Sequence, residues 1–232
     1  MLSGVRSVGG QYQVAKLLDR NDVDGTSLNQ LEDEIQPAVG STVHRGGDDT
    51  AQAIATDGGG DVWRVHQMDL DVDSEALASN LMRHDDGVDV SRVVEDLETL
   101  QSANVEGTSD LARMLSAANA DGIRGHAFEA QVAAGAVRHS DRDVVRVGQD
   151  VKSSRGSTEI DVQFADGSTV EVKSGPLVGD DIDQLRTQLM YRSENRLGGN
   201  HYVAVRGEIS DDAQTFIDEN NIRVLDEAEY KG

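Results

Sequence analysis

A predicted β-hairpin between Gly156 and Lys173 constrains the fold of this chain more than any other stretch. Polar and apolar residues alternate with a period of two along both of its runs, which is the pattern of half-buried strands. The turn dipeptide Asp166-Gly167 lies between the runs. The apolar residues of paired strands must share one face. This condition is met when a three-residue loop, 165–167, joins the strands with Gly167 in the left-handed conformation.

The register of this hairpin brings two acidic residues face to face. It makes four cross-strand pairs: Val162 with Val170, Ile160 with Val172, Asp161 with Glu171, and Glu159 with Lys173. Like charges directly opposite each other destabilise a sheet, so the pair of Asp161 and Glu171 favours a cation held between them. The alternative is a solvated face with an incidental ion pair between Glu159 and Lys173. The hairpin alone leaves both interpretations open.

The elements around the hairpin predict a mixed α/β fold. A helical pattern runs from Gly122 to about Val137, and the segment DVVRVGQDV predicts a strand just before the hairpin. A helix over 181–194, a strand at HYVAVRG, a helix at ISDDAQTFIDENN and a last strand at IRVLD follow it. The order α-β-β-β-α-β-α-β is typical of a mixed β-sheet flanked by helices.

Residues 1–120 predict a mostly helical N-terminal domain that precedes an α/β domain over residues 121–232. Helical patterns occur at QYQVAKLLDR and SLNQLEDEI, and again over 74–84, 91–102 and 109–119. Each of the last three opens with a serine, which is a favoured N-cap. A Gly- and Asp-rich stretch at about 40–61 predicts a long loop, and VWRVHQMDLDVD predicts a short strand.

The net charge of the chain indicates the kind of solvent to which the protein is adapted. The sequence has 43 acidic and 21 basic residues, for a net charge of −22, and it contains no cysteine. Such a composition resembles that of salt-adapted proteins of haloarchaeal type. At about 1 M salt the Debye length falls to roughly 3 Å, so most of the self-repulsion of the compact state is screened. The acidity is therefore no argument against a nucleic-acid partner, and the absence of cysteine excludes thiolate metal sites.

Two features of the sequence concern the location of the protein in the cell. No run of about 18 apolar residues is present, so we expect no membrane-spanning helix. The first ten residues, MLSGVRSVGG, lack the hydrophobic stretch of a signal peptide. We therefore expect a cytoplasmic protein.

The order of acidic residues resembles the signature of the PD-(D/E)XK nucleases, the restriction-endonuclease-like superfamily. That signature places a carboxylate on a leading helix, an acidic residue on a strand, and (D/E)-x-K on the next strand. Here these are Glu129 in GHAFEAQVAAG, Asp161 in STEIDVQF, and Glu171-Val172-Lys173 in VEVKSG. Ile160 stands where the signature has proline. The resemblance covers approximately residues 121–232.

A second resemblance concerns the helix over 181–194. It carries Gln184, Gln188 and Tyr191, and is similar to the Gln-and-Tyr helix of RecB-like exonucleases. The spacing from Gln188 to Tyr191 is one residue shorter than in those enzymes.

These resemblances imply a restriction-endonuclease-like fold and a nuclease that uses Mg²⁺ or Mn²⁺ to hydrolyse phosphodiester bonds in DNA. Asp161 and Glu171 would bind the metal, with the carbonyl of Val172 as a third ligand. Glu129 would be an accessory ligand, directly or through water. Ligation by oxygen alone suits these hard cations better than zinc.

The resemblance also implies roles for the residues that bind no metal. Lys173 would position or activate the attacking water and stabilise the charged transition state. Gln188, or Gln184, would orient the site or the scissile strand. Five basic residues are candidate phosphate contacts: Lys152, Arg155, Arg186, Arg192 and Arg196. The two histidines His126 and His139 receive no role.

Several alternatives stay open at this level. RNA is a second substrate class, and a homodimer is a common state in the superfamily. The biological setting could be repair, junction processing, restriction of foreign DNA or a nuclease toxin. A different function is also open, namely a non-catalytic module that binds nucleic acid or protein and retains the nuclease fold.

Overall fold

The computed structural model describes residues 58–230. The helices of this part are α1 (Gly58–Gln67), α2 (Ser74–Arg83), α3 (Val90–Ser102), α4 (Thr108–Ala117), α5 (Ala120–His139), α6 (Asp181–Glu194) and α7 (Asp211–Glu219). The strands are β1 (Val144–Ser153), β2 (Gly156–Phe164), β3 (Thr169–Lys173), β4 (His201–Val205) and β5 (Arg223–Val224), and a 3₁₀-helix covers Glu227–Glu229. The predicted element order from residue 121 onward is confirmed.

The five strands form one mixed sheet in the order β1-β2-β3-β4-β5. The first three strands pair antiparallel, because short turns connect them. The last three pair parallel, because α6 and α7 serve as the crossover connections. The chain is thus a mixed α/β protein with helices on both faces of its sheet. Among the helices of residues 58–230, none combines the length and the apolar character that a membrane crossing requires.

The predicted strand at VWRVHQMDLDVD is wrong, because the first half of this segment, 62–67, belongs to α1. A short apolar run with buried positions fits either a strand or a helix, and tertiary contacts decide between them. Arg64 on α1 contacts Glu98 on α3 with an N–O distance of 2.7 Å. Ser91 of α3 donates a hydrogen bond to Asp61, at 2.5 Å. These polar contacts hold the segment on α3 as a helix.

The predicted serine caps are also wrong, although the three helices exist. Asp73 caps α2 by accepting hydrogen bonds from the N–H groups of Glu75 and Ala76, both at 3.1 Å. Asp89 caps α3 through the N–H group of Arg92 at 3.0 Å. A carboxylate satisfies the free N–H groups as serine does, and it also interacts favourably with the helix dipole. The N-cap of α4 is Gly107, with φ +89°.

Two hydrophobic cores lie on opposite faces of the sheet. The larger core joins α1 to α5 with one face of the strands, including Phe128, Val162 and Val170. The smaller core lies under α6 and α7 and includes Leu185 and Val203. The helices from residue 58 onward therefore share a core with the sheet.

A backbone contact joins the helical part of the chain to the outer edge of β1. Glu106 N–H donates to the carbonyl of Val145 at 3.1 Å, and Val147 N–H donates to the carbonyl of Glu106 at 2.8 Å. Gly107 lies so close that a Cβ there would approach Val147 O to 2.1 Å. The predicted domain boundary near residue 120 falls between α4 and α5, and the division stays a prediction. The patterns predicted before residue 58 lie outside the described residues.

The predicted register of the central hairpin is confirmed where β2 and β3 pair. The loop is 165–167, with a hydrogen bond from Phe164 N to Ser168 O at 2.9 Å, and Gly167 has φ +82°. The ladder of β2 and β3 contains two pairs, Val162 with Val170 and Gln163 with Thr169. Beyond them the predicted pair of Ile160 and Val172 is replaced by a side-chain contact of Asp161, and the two backbones part.

Arg192 is a structural residue of this hairpin, so its prediction as a phosphate contact is wrong. It is buried on α6. Its guanidinium donates to four oxygen atoms: Gly167 O at 2.7 Å, Thr169 Oγ1 at 2.8 Å, Gly198 O at 2.9 Å and Gly199 O at 3.1 Å. Arg192 therefore ties the hairpin turn and the loop before β4 to the end of α6.

We expect Arg192→Met to lower the free energy of unfolding by about 2–4 kcal/mol, because it removes four hydrogen bonds of a buried guanidinium, including the one to buried Thr169 Oγ1. Urea unfolding in molar KCl measures this change. Arg155→Met is the matched control, since Arg155 makes a half-exposed ion pair with Asp183 that is worth about 0–1 kcal/mol. Equal losses in both variants would contradict the structural role of Arg192.

Candidate active site

Asp161 and Glu171 meet where β2 and β3 separate. Both carboxylates are buried, with 6% and 1% of the residue surface exposed. Asp161 Oδ2 accepts a hydrogen bond from Val172 N–H at 2.5 Å, in place of a backbone partner. The polar face of the hairpin is thus enclosed, and the interpretation of it as a solvated face is wrong.

The carboxylate of Glu171 points towards α6. Its β4 neighbour is Val203, which belongs to the core under α6 and α7. Gln188 of α6 is fully buried and donates through Nε2 to Glu171 Oε2 and to the carbonyl of Glu159, the latter at 2.7 Å. Gln188 therefore fixes the orientation of Glu171 and ties α6 to β2.

The solvated interpretation predicted an ion pair between Lys173 and Glu159, and this prediction is wrong. The Lys173 ammonium lies 3.0 Å from Glu171 Oε1 and 3.3 Å from Asp181 Oδ1. It also donates to Gln184 Oε1 at 2.8 Å. The pKa of Lys173 is raised, because the attraction of Glu171 and Asp181 outweighs the effect of its partial burial.

The helix α5 brings a third carboxylate, Glu129, towards the same place. Its Oε2 lies 3.1 Å from His126 Nδ1, one turn earlier on the helix. This contact raises the pKa of His126. Burial, followed by the negative charge of Glu129, raises the pKa of Glu159, and Glu129 also contributes to the raised pKa of Asp161. His126, which the sequence left without a role, therefore contacts the third carboxylate of the site.

The carboxylates at this position disfavour one another in the ionised form. Burial, followed by the charges of Glu171, Glu129 and Glu159, raises the pKa of Asp161 well above its ordinary value. Burial raises the pKa of Glu171 as well, although Lys173 and Gln188 oppose the shift. Acidic groups that are buried close together bind a proton or a cation more strongly than isolated ones do. The site is therefore poised to hold a positive charge.

The structure brings the predicted residues Glu129, Asp161, Glu171, Lys173 and Gln188 into one neighbourhood, with the Val172 backbone between them. The sequence left Gln184 and Gln188 as alternatives for one role. In the structure the two glutamines contact different residues, since Gln184 binds Lys173 and Gln188 binds Glu171.

Sequence reasoning missed Asp181, which is the second carboxylate partner of Lys173. The signal was its position three residues before Gln184, because residues spaced by three or four share one side of a helix. Sequence reasoning also missed that Gly148 on β1 lies against the side chain of Glu159. It has φ +60°, and a Cβ there would lie 3.3 Å from Glu159 Oε1. An isolated glycine inside a strand pattern often marks such a close approach.

The other predicted basic contacts lie away from the buried carboxylates. Arg155 and Arg186 both contact Asp183 on the exposed side of α6, at 3.0 and 3.2 Å. Lys152 and Arg196 are exposed.

The fit of a hard cation to this site rests on the donor set. Among residues 58–230, no group of three His, Asp or Glu side chains converges closely enough to hold a metal. Two carboxylates are nevertheless adjacent, and Gln188 Oε1 is buried without a hydrogen-bond partner in the described part of the chain. Mg²⁺ commonly uses one or two carboxylates and keeps several waters. The oxygen donors of Asp161 and Glu171 therefore suit a hard cation such as Mg²⁺ or Mn²⁺.

Comparisons of the chain with models of protein families, with curated proteins and with solved structures find no match.

We expect Asp161→Asn to stabilise the metal-free protein at pH 7 by on the order of 1 kcal/mol. The raised pKa means that folded Asp161 retains a proton that the unfolded chain releases, so stability falls as pH rises through that interval. Asparagine does not titrate and keeps an oxygen for Val172 N–H. The gain should disappear below about pH 4, where unfolded aspartate is also protonated. Thermal unfolding with chelator at both pH values measures it.

Asp166→Asn is the control of opposite sign. Slight burial of Asp166 is outweighed by its hydrogen bond from Ser168 N–H, at 2.8 Å, so its pKa is lowered. Stability from a lowered pKa is present above the unfolded value and is lost as pH falls. Asp166→Asn should therefore destabilise the protein at pH 7. Destabilisation by Asp161→Asn as well would contradict a strained acidic pair.

Proposed function

We propose that the chain is a metal-dependent nuclease that hydrolyses phosphodiester bonds in DNA. The observation that carries the proposal is the arrangement of two buried carboxylates, Asp161 and Glu171, beside the ammonium of Lys173. Two like charges buried side by side destabilise a fold even when donors surround them, so their presence favours a function. The setting would be repair, junction processing, restriction or a nuclease toxin.

Asp161 and Glu171 would hold the cation, with the Val172 carbonyl as a further oxygen ligand. The N–H and C=O groups of one strand residue point to the same neighbouring strand. Val172 N–H points to Asp161 on β2, so its carbonyl faces the same gap. Glu129 would bind a water of the hydration shell. When bound, Mg²⁺ or Mn²⁺ polarises a phosphoryl oxygen and lowers the pKa of a coordinated water.

The remaining residues would organise the attack on phosphorus. Lys173 would orient the attacking water and stabilise the charge that develops on the phosphoryl oxygens. Gln184 supports this role, since it accepts a hydrogen bond from the Lys173 ammonium. Gln188 would keep Glu171 in the orientation that binds the cation, because it donates to the other carboxylate oxygen. The water oxygen forms a bond to phosphorus as the bond to the leaving sugar oxygen breaks.

The polyanionic substrate requires cations on the protein surface or in the solvent. Arg186 lies on the exposed side of α6, Arg155 in the turn between β1 and β2, and Lys152 on β1, where they could contact phosphates away from the scissile bond. With a net charge of −22, the protein would approach DNA only where salt screens its repulsion. We therefore expect activity in molar KCl.

A non-catalytic binding module is the second candidate. The observation that favours it is that Lys173 is already paired with two carboxylates, so its charge stabilises the acidic pair without a metal. In such a module the site would be a structural remnant of the nuclease fold.

Incubation with supercoiled plasmid in molar KCl tests the proposal. We expect nicking with Mg²⁺ or Mn²⁺ and none with chelator. Lys173→Ala should reduce the rate by about 100-fold or more, because it removes the group that positions the water and stabilises the transition state. The measured quantity is the initial rate of conversion of supercoiled to open-circular DNA.

Arg113→Ala is the matched control, since Arg113 is an exposed basic residue of α4 that contacts Asp110 and has no proposed role in the reaction. We expect it to change the nicking rate much less than Lys173→Ala does. Nicking that persists in folded Lys173→Ala would contradict this site. Folded wild-type protein that cuts neither plasmid, branched DNA nor RNA would favour the binding module.

A further inference from the structure

Lys173 is the counter-ion of Glu171 in this structure. Its ammonium has three N–H donors, and it contacts three acceptors: Glu171 Oε1, Asp181 Oδ1 and Gln184 Oε1. The other oxygen of Glu171 accepts from Gln188. Both oxygens of Glu171 are therefore occupied by donors of the protein itself.

A cation that enters between Asp161 and Glu171 competes with this arrangement. It requires an oxygen of Glu171, and the oxygen that faces Lys173 is held by a mobile ammonium on a flexible stem. The oxygen that faces Gln188 is held by a fully buried amide. The contact between Lys173 and Glu171 is therefore the one that gives way.

Asp181 is placed to receive the displaced charge. Its Oδ2 accepts a hydrogen bond from Val178 N–H at 2.9 Å, which fixes the carboxylate so that Oδ1 faces Lys173. Its side chain is only 22% exposed, equal to that of Lys173. Asp181 and Gln184 both lie in the first turn of α6, and together they form a second binding position for the Lys173 ammonium.

We infer that Asp181 is a positioning residue that holds Lys173 when Glu171 releases it to bind a divalent cation. The inference rests on the proposed function, since it concerns the cation of that same site. In the metal-free protein the Lys173 ammonium pairs with Glu171. As the cation binds, the ammonium loses this contact and keeps its contacts with Asp181 and Gln184. On Asp181 it stays beside the site, where it can orient water.

Titration of the full chain with Mn²⁺ alone, in molar KCl without nucleic acid, tests this inference by calorimetry. Asp181→Asn should raise the Kd for Mn²⁺ about tenfold, because Lys173 loses the carboxylate that receives it, a charge-assisted contact. Asp181→Glu should recover most of the affinity, since it retains the negative charge. Asp183→Asn is the matched control on the same helix and should leave the Kd unchanged, because Asp183 contacts Arg155 and Arg186.

A double-mutant cycle separates this role from direct attraction of the cation. Lys173→Met removes the competing ammonium and should lower the Kd for Mn²⁺. In that background Asp181→Asn should have no further effect, because Asp181 acts through Lys173. The same loss in both backgrounds would overturn the inference, since Asp181 would then attract Mn²⁺ directly.

Two further outcomes distinguish the inference from the proposed function. An equal Kd for wild-type protein and Asp181→Asn overturns the inference and leaves the metal site intact. If neither wild-type protein nor Lys173→Met binds Mn²⁺, both the inference and the proposed function are overturned. Circular dichroism of each variant shows that the comparison is made on folded protein.

Discussion

The rest of the site depends on the burial of two like-charged carboxylates in the gap between β2 and β3. A buried acid next to another acid is unfavourable unless donors or cations surround it. The chain supplies these donors from three directions. Val172 N–H contacts Asp161 from the strand, Gln188 contacts Glu171 from α6, and Lys173 places its ammonium on the outer side. The raised pKa of both acids shows that this compensation is incomplete.

Contacts around the hairpin turn keep β2 and β3 paired up to the gap. The hairpin is held closed at its turn, where Arg192 binds Gly167 and Thr169. Buried His201 adds a contact to Thr169 at 2.8 Å and stays neutral, because burial and then the charge of Arg192 lower its pKa to about 3. From this closed end two ladder pairs follow, and the Asp161 side chain then takes the place of the next backbone partner. The separation of β2 and β3 is therefore confined to the part of the hairpin beyond Val162 and Val170.

The helix α6 connects the chemistry of the site with its structural support. Along one helix, Asp181 and Gln184 contact Lys173, Gln188 contacts Glu171, and Arg192 contacts the hairpin turn. These side chains recur at intervals of three and four residues, so they share one side of the helix. A displacement of α6 would therefore change the acid, the ammonium and the turn together. This coupling favours a rigid site in which the charges change partners while the backbone stays in place.

The sequence by itself determined the element order from residue 121 onward, the hairpin register next to the turn, and the proximity of Asp161 to Glu171. Alternation with period two, the Asp-Gly turn and the spacing of Gln184 and Gln188 are local signals, and local geometry converts them directly into strands, a loop and one helix side. Tertiary structure alone decided that the polar face of the hairpin is enclosed, that Arg192 is structural and that Asp181 pairs with Lys173. These outcomes depend on contacts between residues far apart in the chain, because burial and charge pairing arise only when α6 is laid on the sheet.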